Sequence, residues 1–172
     1  MLRIVGGSMI LLGCFGLGLW YRQQFILRLQ TLRTLLGILD MLMSDIRYGK
    51  STLPESCKRI GERQKEPYRS SFLEIYRTME ENGGECFPQV FCRHMEKCLR
   101  QLPIKAKDGE QFLAFAAGDS FEDGRMQLRT VERSKELLQL TVEGLEKENA
   151  EKCRLAVGLG AMSGLLLVIV LL

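Results

Sequence analysis

The sequence lacks the motifs through which most enzymes bind a nucleotide. No GxxxxGK[ST] loop is present, and no GxGxxG follows a strand-like segment. There is one histidine, His94, and no CxxC pair or second cluster of the kind that holds structural zinc. A metal bridging His94 and Cys98, one helical turn apart, is the weaker alternative to ordinary packing. The sequence therefore predicts a protein that is not an enzyme and that has no cofactor and no metal.

Clustered charge and strand-like alternation are also missing. The 24 basic and 21 acidic residues are mixed along the chain, whereas a nucleic-acid footprint needs clustered positive charge. The densest basic stretch, from Arg93 to Lys107, is diluted by apolar residues and broken by Pro103, which favours a solvated face over a lipid-headgroup or partner patch. No segment alternates with period two and β-branched residues, so no strands are predicted. We expect an all-α protein without a nucleic-acid partner.

A long stretch without any charged residue lies near each end of the sequence. Residues 4–21 and 155–172 contain no acidic or basic side chain, and every charged residue except Arg3 lies between them. As helices, each would be roughly 27 Å long, close to the thickness of a bilayer core. The sequence predicts two transmembrane spans that flank one domain at 22–154.

The basic residues that flank the spans predict the side on which this domain lies. Arg22, Arg28 and Arg33 follow the first span, and Arg154 precedes the second, whereas Arg3 alone lies on the other side. The positive-inside rule places the domain in the cytoplasm and both termini outside, in an integral protein of the cell membrane. A cleaved signal peptide is the alternative for the first span, which would make the protein a secreted, tail-anchored domain.

Small residues interrupt the second span. Gly160, Ser163 and Gly164 form a GxxxG-type face, which allows helix backbones to approach closely in lipid. They are candidates for packing against the first span or a partner's span, although glycine is also simply common in such helices.

The six cysteines leave two interpretations open. Cys14 and Cys153 lie in or beside the spans, and the other four lie on or near apolar faces of predicted helices. Free thiols in a reducing compartment fit this placement better than a disulfide framework, which the secreted alternative would need.

Apolar periodicity predicts an antiparallel bundle of about six helices, the first and last of which continue into the spans. Tyr48-Gly49 ends the first helix, and Thr52 and Glu55 form a capping box for the second. Asp108 is predicted to cap the fifth. The apolar stripe predicted for the first helix consists of Phe25, Leu29, Leu32, Leu36, Leu39, Met43 and Ile46.

Three stretches carry a family resemblance. The first runs from Leu32-Arg33 through Leu36, Leu39 and Ile46 to Tyr48-Gly49 and Leu53-Pro54-Glu55. The second is Phe115 with the turn to Asp123 and Gln127. The third is Leu159-Gly160 with Ser163-Gly164-Leu165-Leu166. With the length and the two terminal spans, they resemble the stage III sporulation protein AB family over the whole chain. The sequence departs from the family pattern at Ala116 and Ser120, where the family tends to carry glycines.

The resemblance implies a cytosolic domain similar to that of the F component of type II secretion systems. It implies a place in the channel complex between mother cell and forespore, in the mother-cell membrane, with the complex's cytosolic secretion-type ATPase and other membrane subunits as partners. The residues expected to shape the domain or contact a partner are Tyr48, Gly49, Leu53, Pro54, Glu55, Asp123 and Gln127. A membrane-tethered sensor is the rival function, although no ligand pocket is evident in the sequence.

Overall fold

The computed structural model describes residues 2–48, 52–81, 85–116 and 126–148, with side chains from residue 23 onwards. Six helices occupy this part of the chain, and it contains no strand, which confirms the all-α prediction. They are α1 (Leu2–Tyr48), α2 (Leu53–Arg63), α3 (Tyr68–Glu81), α4 (Phe87–Leu99), α5 (Ala106–Leu113) and α6 (residues 126–148).

The predicted spans fall largely outside the described residues. Residues 155–172 lie wholly outside them, and for residues 4–21 only the helical backbone of α1 is described. Within the described part, no helix combines the length and the apolar character that a membrane crossing requires.

Local hydrogen bonds explain where two of the helices begin. At α2, the Glu55 N–H donates to the Thr52 hydroxyl at 3.4 Å, and the Thr52 N–H donates to the Glu55 carboxylate at 3.0 Å. The predicted capping box is therefore confirmed. At α5 the prediction was wrong in detail, because Lys105 occupies the capping position. Asp108 lies in the first turn, where its buried carboxylate reaches back to accept the Lys105 N–H at 3.0 Å.

The buried face of α1 is displaced from the predicted stripe. Leu32 and Leu39 are fully buried as expected, but Leu35, Ile38 and Leu42 are also fully buried. The predicted Leu36, Met43 and Ile46 are only half-buried. A broad face of this kind is typical of a helix that packs into a globular core, whereas a coiled-coil seam would be narrower.

An aromatic cluster joins α3, α4 and α5. Phe91 of α4 lies at its centre, with ring centroids 5.1 Å from Phe115, 5.5 Å from Phe87, 6.0 Å from Phe72 and 6.3 Å from Phe112. All five side chains are buried. Edge-to-face pairs at these distances contribute free energy beyond the burial of their area, so this cluster fixes the middle helices against one another.

Ion pairs connect α1 with α6 inside the compact unit Gln30–Val142. Asp40 pairs with Lys135 at 2.6 Å, and Arg47 pairs with Glu132 at 3.1 Å. Because the later residue of α1 pairs with the earlier residue of α6, the two helices run antiparallel, as predicted.

Candidate partner-binding surface

The residues singled out from the sequence lie mainly at the corner between α1 and α2. Tyr48 is the last residue of α1 and is 67% exposed. Leu53 and Pro54 are half-buried in the first turn of α2, and Gln127 is half-buried near the start of the described part of α6. Gly49, Asp123, Gly160, Ser163 and Gly164 lie outside the described residues.

Within the start of α2, the hydrogen bonds assign a structural role to Glu55. Its carboxylate accepts the Thr52 N–H, so this side chain helps to satisfy the free backbone donors of the helix start. Pro54 stands in the first turn, where the absence of its N–H removes no helical hydrogen bond. Of the predicted residues with described side chains, Tyr48 and Glu55 are exposed, and Tyr48 offers a large aromatic surface to a partner.

A groove lies beside Tyr48, between the last turns of α1 and the second half of α2. Its volume is about 280 Å³, and its lining consists of Ser44, Asp45, Tyr48, Arg59 and Arg63. A smaller hollow of about 90 Å³ shares four of these residues and adds Met41 and Ile60.

Sequence reasoning missed four of the five lining residues. Arg59 and Arg63 are four residues apart, and Asp45 and Tyr48 are three apart, so each pair lies on one face of its helix. The spacing identifies one face of α1 and one face of α2, but only the packing of α2 beside α1 brings the two faces together.

The groove carries an uncompensated positive charge. The Arg59 guanidinium lies 2.5 Å from the Asp45 carboxylate, and Asp45 is only 17% exposed. That pair neutralises one cation and one anion. The remaining cation is Arg63, an exposed residue that forms no ion pair with any other side chain in the described part of the chain.

Asp45 also lies close to the core of the bundle. Burial, and secondarily the negative charge of Asp45, raises the pKa of the Cys57 thiol far above its usual range. Cys57 therefore stays protonated and behaves as a small apolar side chain in the core of the bundle.

The single histidine joins α4 to α3. His94 Nδ1 lies 3.2 Å from the Glu74 carboxylate, and His94 Nε2 lies 3.4 Å from the Thr78 hydroxyl. Both ring nitrogens therefore have partners on the neighbouring helix. Among the described residues, no three His, Cys, Asp or Glu side chains are placed to hold a metal ion.

The thiols show no disulfide framework in the described ranges. Cys57, Cys86, Cys92 and Cys98 are all free. The disulfide-bonded alternative considered from the sequence has no support among these four residues.

Comparison with known proteins decides the family. The profile of the family described as stage III sporulation protein AB matches residues 3–172. This chain belongs to that family. Membership makes it a sporulation protein, and the resemblance read from the sequence motifs is confirmed.

A solved structure supports the same fold. The bundle is similar to a stage III sporulation protein AB (SpoIIIAB) structure with a TM-score of 0.65 and 18% sequence identity, over 72% of this chain and 97% of that one. At this identity the likeness concerns the fold alone. No curated protein matches the chain.

Proposed function

We propose that this member of the stage III sporulation protein AB family is a non-enzymatic membrane component of the channel complex between mother cell and forespore. In this proposal it is an adaptor for the complex's cytosolic secretion-type ATPase. Residues 4–21 and 155–172 anchor it in the mother-cell membrane around the forespore, and the bundle at 22–154 faces the cytoplasm. The family match and the charge pattern of the sequence support this proposal.

The contact between α1 and α6 is the observation that carries the adaptor role. In the proposal these helices continue into the two spans. Asp40–Lys135 and Arg47–Glu132 tie them together, and four leucine and isoleucine side chains of α1 between residues 32 and 39 are fully buried. A partner that moves the compact unit Gln30–Val142 would therefore move the segments of α1 and α6 within that unit together.

Binding to the ATPase tests the proposal directly. The full chain, in detergent or in nanodiscs, would be used to capture the cytosolic ATPase of the sporulation channel, with a type II secretion ATPase as the control. We expect selective capture of the first. Equal capture of both, or of neither, would contradict the adaptor role.

Helix continuity can be tested separately at Gly144 in α6. A Cβ added to Gly144 meets no atom within 4 Å, so Gly144→Ala leaves the surroundings unchanged. Gly144→Pro breaks the helix at the same point, with an expected cost of about 3 kcal/mol or more. If α6 transmits position to the membrane, sporulation fails with proline and proceeds with alanine. Normal sporulation with both variants would rule out transmission through this helix.

A further inference from the structure

We infer that the groove beside Tyr48 is the docking site for a carboxylate side chain on an acidic segment of the partner protein. The inference rests on the proposed function, since it names the surface through which the ATPase would be held. The inference also distinguishes the residues that stabilise the corner between α1 and α2 from the residues that contact the partner. The groove is lined by Ser44, Asp45, Tyr48, Arg59 and Arg63.

The charges of the groove favour an anionic occupant. Asp45 would repel a carboxylate, but Arg59 compensates it at 2.5 Å. Arg63 is left as the cation without an ion-pair partner in the described part of the chain. Its guanidinium presents donors in a planar fork that matches the two oxygens of a carboxylate.

The number of charges favours a carboxylate over a phosphate. A phosphorylated side chain carries nearly two negative charges, and the groove offers one uncompensated cation. A polyanion such as a nucleic acid would require a row of free cations, whereas the second arginine in the groove is already paired.

The dimensions and walls of the groove favour a protein side chain. About 280 Å³ is enough for one or two side chains. The exposed ring of Tyr48 forms one wall, against which the methylene groups of an Asp or Glu, or a neighbouring apolar residue, can pack. Tyrosine and arginine are among the residue types enriched in the hot spots of protein interfaces.

Charge reversal at Arg63 tests this inference, with Arg100→Glu as the matched control. Arg63 is the last residue of α2, and Arg100 directly follows the last residue of α4. Both are exposed, and neither forms an ion pair with a described residue. The two substitutions therefore change net charge and helix-end electrostatics in the same way, at the groove and away from it.

Affinity for the sporulation-channel ATPase would be measured with the full chain, after circular dichroism shows that both variants are folded. We expect Arg63→Glu to weaken binding by about tenfold or more, as for a central interfacial arginine. Arg100→Glu should change it by no more than about twofold, as for a residue outside the interface. In the Arg63→Glu background, one acidic-to-lysine substitution in the ATPase should restore binding.

Each remaining outcome would overturn either this inference alone or the proposed function as well. Equal loss with both variants would show that the partner senses overall positive charge, and unchanged binding with Arg63→Glu would show that the groove is not used. Either result overturns the inference while the adaptor role stands. Failure of the unaltered chain to bind the ATPase overturns the proposed function, and the inference with it.

Discussion

The ammonium group of Lys135 lies 2.6 Å from the Asp40 carboxylate, and this pair ties α6 to α1 with both side chains partly exposed to water. Solvent screening limits the contribution of such a pair, and an exposed ion pair typically stabilises by less than about 1 kcal/mol. The pair therefore ties the two helices in antiparallel register while adding little to the free energy of folding.

Exchanging the two charges should reveal the interaction energy between Asp40 and Lys135. Asp40→Lys and Lys135→Asp each place like charges opposite one another, so each alone should lower the free energy of unfolding by roughly 1 kcal/mol. The double variant should recover most of that loss, measured by urea denaturation in low salt. If the two losses simply add, the side chains do not interact in solution.

The capping box predicts that Thr52 at the α1–α2 corner stabilises the fold. Thr52→Ala removes the hydroxyl that accepts the Glu55 N–H, so we expect a loss of about 1 kcal/mol in the free energy of unfolding. Thr52→Ser keeps the oxygen and should restore most of it. Affinity for the ATPase should stay the same in both variants. Weaker binding with unchanged stability would instead make this turn part of the interface.

Gly61 allows α2 to approach α3 closely, and its substitution should be destabilising. A Cβ at this position would lie 3.2 Å from side-chain carbons of Leu73 and Phe72 and 3.3 Å from the Arg69 carbonyl oxygen. The overpacking should outweigh the helix propensity gained with alanine, so Gly61→Ala should lower the melting temperature.

Gly37 provides the matched control for that substitution. An added Cβ meets nothing within 4 Å there, so Gly37→Ala should stabilise α1 by about 0.5–1 kcal/mol. If both alanine variants raise the melting temperature, the contact between α2 and α3 is looser than described.

The thiols should differ sharply in reactivity. Cys86 is exposed directly before α4, whereas Cys57 is fully buried and its pKa is strongly raised by burial and by Asp45. Iodoacetamide at pH 8 should label Cys86 in the folded protein and Cys57 only after unfolding, as read by peptide mass spectrometry. Rapid labelling of Cys57 without denaturant would contradict its burial in the core.

The Cys57 thiol should also make the stability of the folded protein decrease at alkaline pH. Because the folded-state pKa of Cys57 is raised, the unfolded chain loses this proton first as the pH rises. The contribution to stability is complete below about pH 8.5, the usual thiol pKa, and declines above it. Replacing Cys57 with alanine should flatten the alkaline part of the stability curve relative to the unaltered protein. An identical slope would mean that another group titrates there.

Features that depend on neighbouring residues could be predicted from the sequence. The capping box of Thr52 and Glu55 needs only a spacing of three, and the position of Pro54 in the first turn follows from the chemistry of proline. The spacing also predicts a stripe of Phe87, Phe91, Met95, Cys98 and Leu102 for the fourth helix; the first four are buried in α4, whereas Leu102 lies beyond its end and is half-buried. In each case the residues belong to one helix, so their spacing along the sequence is enough to predict the feature.

Contacts between particular residues of two different helices could not be predicted. The run from Leu35 to Met43 is apolar on almost every side, so two overlapping stripes fit it, and only the packing partners decide between them. The groove needs Asp45 on α1 to meet Arg59 on α2, and the role of His94 needs Glu74 and Thr78 on α3. No local pattern contains these pairings.

The aromatic cluster around Phe91 has a consequence for how the chain folds. All of its members lie between Phe72 and Phe115, and the pairs around Phe91 are separated by at most 24 residues, whereas Arg47 and Glu132, which join α1 to α6, are 85 residues apart. Short loops cost little entropy to close, and chains rich in local contacts fold quickly. We therefore expect α3, α4 and α5 to assemble first as a folding nucleus, onto which α1 and α6 then dock.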